Sequence, residues 1–477
     1  MQDGKRTNRE RWAPTARRAG ATVLVPLLLM CAAQAQTPVT PAGSGLQGDP
    51  YQISQLGHLV WMGDNVGSSS GKYYVVQNDM DASATTNWNS GAGFAPIGTS
   101  NAPFMGVLDG GGRTISRLTI NRPGQEDVGL FGYVGRSSTV EHLRLTGYLV
   151  RGSTNVGSIA GFCEFGTVDG CFATGTVAGS SCVGGLVGQD FRGTVSLSSA
   201  AGTVEGGAAV GGLVGGHGGF ISRSSWTGVV RGVNGLGGLV GFNQAMLALL
   251  DSPGVTALGD GIVSNSCASG EVLGTNFVGG LVGYNEGGTV SRCFSSSRVT
   301  GTDEVGGVVG RNGYVGGWVI DCYATGPVTG TNAVGGLVGN NRAGLAGHYD
   351  GGVVSNSFAA GRVTGLTAVG GLAGTNGGTV TASYWDTNVT GQAASPGGGS
   401  GVSTGWMRQR ATFAGWDFTG VWDISENTTY PYFIWQALGP FAGATDAVGG
   451  WQYLAWFGYI TDGGGNWGGW IWHAEHG

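Results

Sequence analysis

Charge is scarce in this chain. Asp, Glu, Lys and Arg make only 11 % of its 477 residues, and the formal net charge is −6. The basic residues cluster in the first 18 positions and are otherwise scattered, which excludes a nucleic-acid footprint. Histidine is also rare, with His58, His142, His217, His348, His473 and His476, and no HExxH occurs. No CxxC pair exists, so no zinc site is expected. Proline numbers only 13 and there is no Gly-X-Y period, which excludes collagen. Beyond the first 36 residues no apolar run is long enough for a membrane helix.

What is abundant is glycine, 99 residues, set among Val, Leu, Thr and Ser. Apolar residues make 41 %, enough for a core and too many for a disordered chain. The N-terminus carries Lys5, Arg6, Arg9, Arg11, Arg17 and Arg18, then an apolar stretch to Ala33, then "AQAQ" with Ala33 and Ala35 in cleavage positions. That is the pattern of a signal peptide over residues 1–36, and it predicts an extracellular or cell-surface protein. Six cysteines remain after cleavage: Cys163, Cys171, Cys182, Cys267, Cys293 and Cys322.

The phrase "VGGLVG" stands at Val183, Val210, Val278 and Val334, with variants at Val128, Val156, Leu236, Val305 and Val369. The spacing is about 27 residues, broken by insertions near 244–259 and 343–350. A second phrase follows each hexad, as in "VDGCFATGTVAG" from Val168 and "VIDCYATGPVTG" from Val319. Each unit holds three short Val-rich runs of strand length, separated by turn residues. The expected fold is all-β: a parallel β-helix, one repeat per coil, three strands and three turns in each.

Aligned columns sharpen the expectation. Seven residues after the hexad start stand Cys163, Asp190, His217, Asn243, Asn285, Asn312, Asn341 and Asn376. Asn suits a left-handed corner and can bond up a stack, so Asn243, Asn285, Asn312, Asn341 and Asn376 are expected to form a ladder. Another column admits only Cys or Ser, and beside it runs an aromatic column (Phe172, Phe294, Tyr323, Phe358, Tyr384) expected in the interior. Cys293 and Cys322 share the Cys/Ser column, so either a disulfide or a buried pair of thiols is expected there.

The chain resembles the GLUG-motif proteins of bacterial surfaces. The resemblance rests on the hexads, on "GSGLQGDPYQISQLGHLVWM" (Gly43–Met62) with a short helix near Ser54–Gly63, and on "PIG" (Pro96–Gly98). It also rests on "FMGVLDGGGRTISRLTI" (Phe104–Ile120), "DVGLFGYV" (Asp127–Val134), and the closing "GWDFTGVWDI" and "YPYFIW". It implies a right-handed β-helix in secreted or surface-attached, often adhesin-like proteins, and no reaction. The division that follows is a linker over 37–50, a cap and first coils over 51–127, repeats over 128–391, a closing segment over 392–436 and an aromatic tail over 437–477. The tail's "GWIWHAEHG" is similar to a Trp-rich module at the ends of some environmental bacterial surface proteins.

Functionally, a structural or adhesive role without catalysis is expected, with no cofactor. Trp451, Tyr453, Trp456, Trp467, Trp470 and Trp472 are the candidate surface for a ligand or an envelope anchor, or else a cap over the last coil. Calcium has one candidate, "NDMD" at Asn78–Asp81, which lacks the spacing of a calcium loop. "HAEH" (His473–His476) carries ligand-type residues at the wrong spacing for a metallopeptidase. A polysaccharide lyase or hydrolase, and a carbohydrate-binding or anchoring module using the tail, are the alternatives. Partners would be a surface polysaccharide or a protein of a host or neighbouring cell, and the chain is expected to be monomeric.

Overall fold

The computed structural model describes residues 36–244, 261–313, 316–344 and 351–437, and the backbone of four short strands beyond them. The proposed signal peptide and the two insertions lie almost wholly outside these residues. The chain winds as a parallel β-helix, and each winding contributes four strands, not three. In one full coil these are Thr167–Asp169, Phe172–Ala178, Ser181–Gly184 and Val187–Phe191. They belong to four stacked ladders, numbered here first to fourth in that order, of twelve, sixteen, eight and nine strands among the described residues.

The extra corner comes from the middle of the hexad. Val183–Gly184 ends a strand of the third ladder and Val187–Gly188 begins one of the fourth, while Gly185 and Leu186 turn between them. A Cβ on Gly185 would lie 2.1 Å from the carbonyl oxygen of Gly212 in the next coil, so only glycine fits. Leu186 points inward and is fully buried. The hexad is therefore a strand end, a corner and a strand start.

Pairing is parallel and in register from coil to coil: Val168 faces Val195, Val183 faces Val210, and Asn285 faces Asn312. Rungs are about 4.8 Å apart. Inward positions stack as columns of like residues, and one continuous core runs from Ile53 to Trp385. The helix Leu56–Asp64 closes the N-terminal end, burying Leu59, Val60 and Met62 over the first strands. Residues 37–50 are tied into this cap, with Val39 N donating to Gly57 O at 2.9 Å and Gln52 N to Ala42 O at 2.8 Å.

Coil length varies at one corner. His217 pairs with Asn243, 26 residues on, while Phe220 pairs with Ile262, 42 residues on. The same corner absorbs the next changes: Asn285 to Asn312 is 27 and Thr289 to Trp318 is 29, then Asn312 to Asn341 is 29 and Trp318 to Val353 is 35. The other three corners keep their length across these coils.

The aromatic column lies outside the helix, not inside as expected. In a strand neighbours alternate sides, so with Cys322 and Ala324 in the core, Tyr323 must face out. Phe294, Tyr323 and Phe358 stack at 5.0 Å centroid spacing and 5° between planes. The closing segment folds back over this strip. Met407, Phe413, Trp416, Trp422 and Phe433 form a second hydrophobic cluster with Tyr323 and Phe358.

Candidate functional sites

The Asn column is a continuous hydrogen-bonded ladder at the corner between the fourth and first ladders. Asn243 Nδ2 donates to Asn285 Oδ1 at 2.7 Å, Asn285 to Asn312 at 2.8 Å, Asn312 to Asn341 at 2.8 Å and Asn341 to Asn376 at 2.7 Å. Each of the first four amides also donates to a local carbonyl: Gly261, Gly288, Gly317 and Gly352. Asn243, Asn285, Asn312 and Asn341 are completely buried. The left-handed backbone expected of this column is found elsewhere, at Cys182, Ala209, Phe277, Glu304, Ala333 and Ala368, just before each hexad valine. Asn is used here for its amide, not for its backbone tolerance.

Toward the N-terminus the same column becomes ionisable. His217 Nδ1 lies 2.9 Å from Asp190 Oδ2, and both side chains are fully buried. His217 Nε2 lies 3.3 Å from the Ile262 carbonyl, an acceptor only, so Nε2 carries a hydrogen. Burial, and then the Asp190 carboxylate, push the Cys163 thiol far up. Cys163, Asp190 and His217 thus terminate the ladder inside the core, with no open face for a substrate.

Cys293 and Cys322 are free thiols. Each donates within the backbone: Cys293 Sγ to Ser291 O at 3.1 Å and Cys322 Sγ to Ile320 O at 3.3 Å. Serines of the same column do likewise, as Ser198 Oγ does to Ser196 O at 2.7 Å. Burial pushes the Cys171 and Cys293 thiols up to about 12, so neither is a nucleophile.

At Asn78–Asp81 the carboxylates are already engaged. Asp81 is paired with Arg117 through Nε and Nη2, and Asp79 Oδ1 accepts from Thr114 N at 2.9 Å. Among the described residues, the grouping whose ligand atoms converge is Asp109, Glu141 and His142. Sequence reasoning missed it because Asp109 and Glu141 are 32 residues apart and meet only through the ladder, where they are paired. The columns were aligned from the hexads, and Asp109 precedes the first of these.

Of the six tail aromatics, Trp451, Trp456, Trp467 and Trp470 lie outside the described residues. Tyr453 and Trp472 are described in backbone only, within antiparallel strands in which Tyr453 pairs with Tyr459 and Trp472 with Thr461. Among the described residues, no helix is long and apolar enough to cross a membrane.

Comparison with known proteins places these features. The model described as the GLUG motif matches residues 274–300. Halomucin of Haloquadratum walsbyi is 43 % identical over 141 residues, which is 29 % of this chain and 2 % of that protein. A protein of Evansella cellulosilytica named as a Gly-rich membrane protein is 36 % identical over 115 residues, 24 % of this chain and 13 % of the relative. The chain therefore spans only a small part of either relative's length. A solved Bacteroides ovatus structure, assigned by name to the immunoglobulin A1 proteases, aligns over 82 % of this chain and 94 % of its own, at 18 % identity and a TM-score of 0.29. Residues 274–300 take in the strands Asn276–Gly279, Val282–Glu286, Thr289–Ser291, Phe294–Ser295 and Arg298–Thr300, one full circuit of the four ladders. Residues 274–300 carry the GLUG motif, and that motif is one turn of the β-helix.

Proposed function

We propose that this protein is a non-catalytic, structural or adhesive rod displayed outside the cell. The observation that carries the reading is where its polar groups go. The repeated inward amides are consumed by the buried Asn ladder. Beyond Asp169 the outward column of the first ladder is neutral and mostly hydroxyl: Ser196, Ser222, Ser264 and Ser291, then Ile320 and Ser355. A side-chain set for lyase or hydrolase chemistry needs an acid and a base converging on an open face. The buried His217–Asp190 pair has the groups without the opening, and at the exposed Asp109–His142 pair the carboxylate and imidazole are engaged with each other. The outward rings Tyr133 and Phe162 stack on each other at 4.9 Å and 11°, so their faces serve the rod rather than a sugar. A surface setting also fits relatives named Halomucin and Gly-rich membrane protein.

Protease shaving of intact cells, together with a polysaccharide panel, tests the reading. Release of rod peptides from whole cells, with no new reducing ends or unsaturated products, is the expected result. Product formation would overturn it in favour of an enzyme. Retention on a polysaccharide that is lost on deleting residues 437–477 would assign ligand binding or anchoring to the aromatic tail.

A further inference from the structure

We propose that Asp109, Glu141 and His142 form a site for a divalent transition-metal ion of the Zn2+ type, on the outer face near the N-terminal end of the rod. One ligand atom from each residue lies within 4.8 Å of the other two. His142 Nδ1 is hydrogen-bonded to Asp109 Oδ1 at 3.2 Å, and that oxygen also accepts from Gly111 N at 2.8 Å. Two donors on one tetrahedral zinc, with bonds of about 2.0–2.1 Å, sit about 3.3 Å apart, so this pair needs little movement to share an ion. Both side chains are reachable, with 41 % and 42 % exposure.

The local chain departs from the repeat in the way such a site requires. Along the outward column of the first ladder the residues run Asp109, Glu141, Asp169, then Ser196, Ser222, Ser264 and Ser291. Three successive rungs carry carboxylate where later coils carry a hydroxyl. His142 follows Glu141 at the corner, and the equivalent corner residues on the rungs before and after are Gly110 and Gly170. A Cβ at Gly170 would fall 2.8 Å from His142 Cδ2, so the glycine leaves space for the ring. The imidazole sets the class, because Ca2+ and Mg2+ take oxygen donors whereas zinc and its neighbours accept nitrogen. Two carboxylates and one imidazole leave a coordination position for water.

The test is titration of the full chain with Zn2+ by calorimetry, with Co2+ absorption as a spectroscopic reporter. About one equivalent should bind, and Glu141→Gln and His142→Gln should each weaken it about tenfold or more. His473→Gln with His476→Gln should leave that affinity unchanged, and excess Ca2+ should not compete. Wild-type affinity in His142→Gln, or loss only in the His473/His476 variant, would overturn the proposal. Should a variant lose its β-type circular dichroism, paramagnetic broadening by Co2+ on the unaltered chain decides instead. Broadening confined to amides around 109–113 and 141–144 supports the site, and broadening elsewhere overturns it.

Discussion

Asn285 and Asn312 lie on adjacent rungs, and the amide of the first donates to the carbonyl of the second at 2.8 Å. Replacing Asn285 by Ala removes that bond and orphans Asn312 Oδ1 and one amide hydrogen of Asn243, both buried, while the Gly288 carbonyl keeps Trp318 N. Each orphan costs about 1–3 kcal/mol. A loss of roughly 2–5 kcal/mol is expected, read as faster amide exchange over the neighbouring coils. Asn285→Asp should be worse at neutral pH, because a carboxylate offers no donor upward.

Gly212 tests the hexad geometry. Its Cβ would fall 2.1 Å from the Gly238 carbonyl oxygen and 2.2 Å from Trp226 Cδ2. Gly212→Ala is expected to cost about 3 kcal/mol or more. Gly212→Ala with Trp226→Ala should not recover it, since the carbonyl contact remains. Gly124→Ala, with nothing within 4 Å of the new methyl, should stay within about 0.5 kcal/mol in denaturant unfolding.

Asp321 supplies the pH dependence. Burial holds its carboxyl above the ordinary value of 3.8. A raised carboxyl favours the protonated fold, so this contribution is present below pH 3.8 and is lost as pH rises through the higher folded value. The carboxylate form is then a burden at pH 7. Asp321→Asn keeps an acceptor for Trp422 Nε1, which lies 3.3 Å from Asp321 Oδ1. Asp321 has φ 51°, and the equivalent positions Asn265 and Asn356 are asparagine at φ 48°. The variant should raise the thermal midpoint at pH 7 by less than about 1 kcal/mol equivalent, with the gain vanishing near pH 3.

Cys293 and Cys322 should resist alkylation in the native state and react only after unfolding. Serine already fills their column at Ser266 and Ser357, so Cys293→Ser and Cys322→Ser are expected to alter stability by about 1 kcal/mol or less. Alkylation of either thiol in the folded chain would contradict this.

The closing segment depends on Trp422, which is fully buried against Phe433 at 4.5 Å. Trp422→Ala should cost about 3–5 kcal/mol locally. Limited proteolysis should then cut within residues 402–436 while the coils stay intact.

Much of the fold was legible because identical coils write identical letters. The register of Val183 with Val210, and of Asn285 with Asn312, follows from counting. Two features did not follow. Side-chain parity near Cys322 decides that Tyr323 faces out, and a column read alone does not say which of two neighbours is inside. The two-residue corner Gly185–Leu186 hides within an apolar phrase that looks like one strand. The cluster at Asp109 was invisible for a different reason: Asp109 precedes the first hexad, so no aligned column joins it to Glu141.

The corner after the Asn column has a broader meaning. From Asp190 onward, a stack that absorbs its changes of length on one edge behaves like a comb with a fixed spine: teeth can be added, lengthened or exchanged while the other flanks keep their pattern. Foreign segments grafted there would emerge in a row, at intervals set by the winding itself.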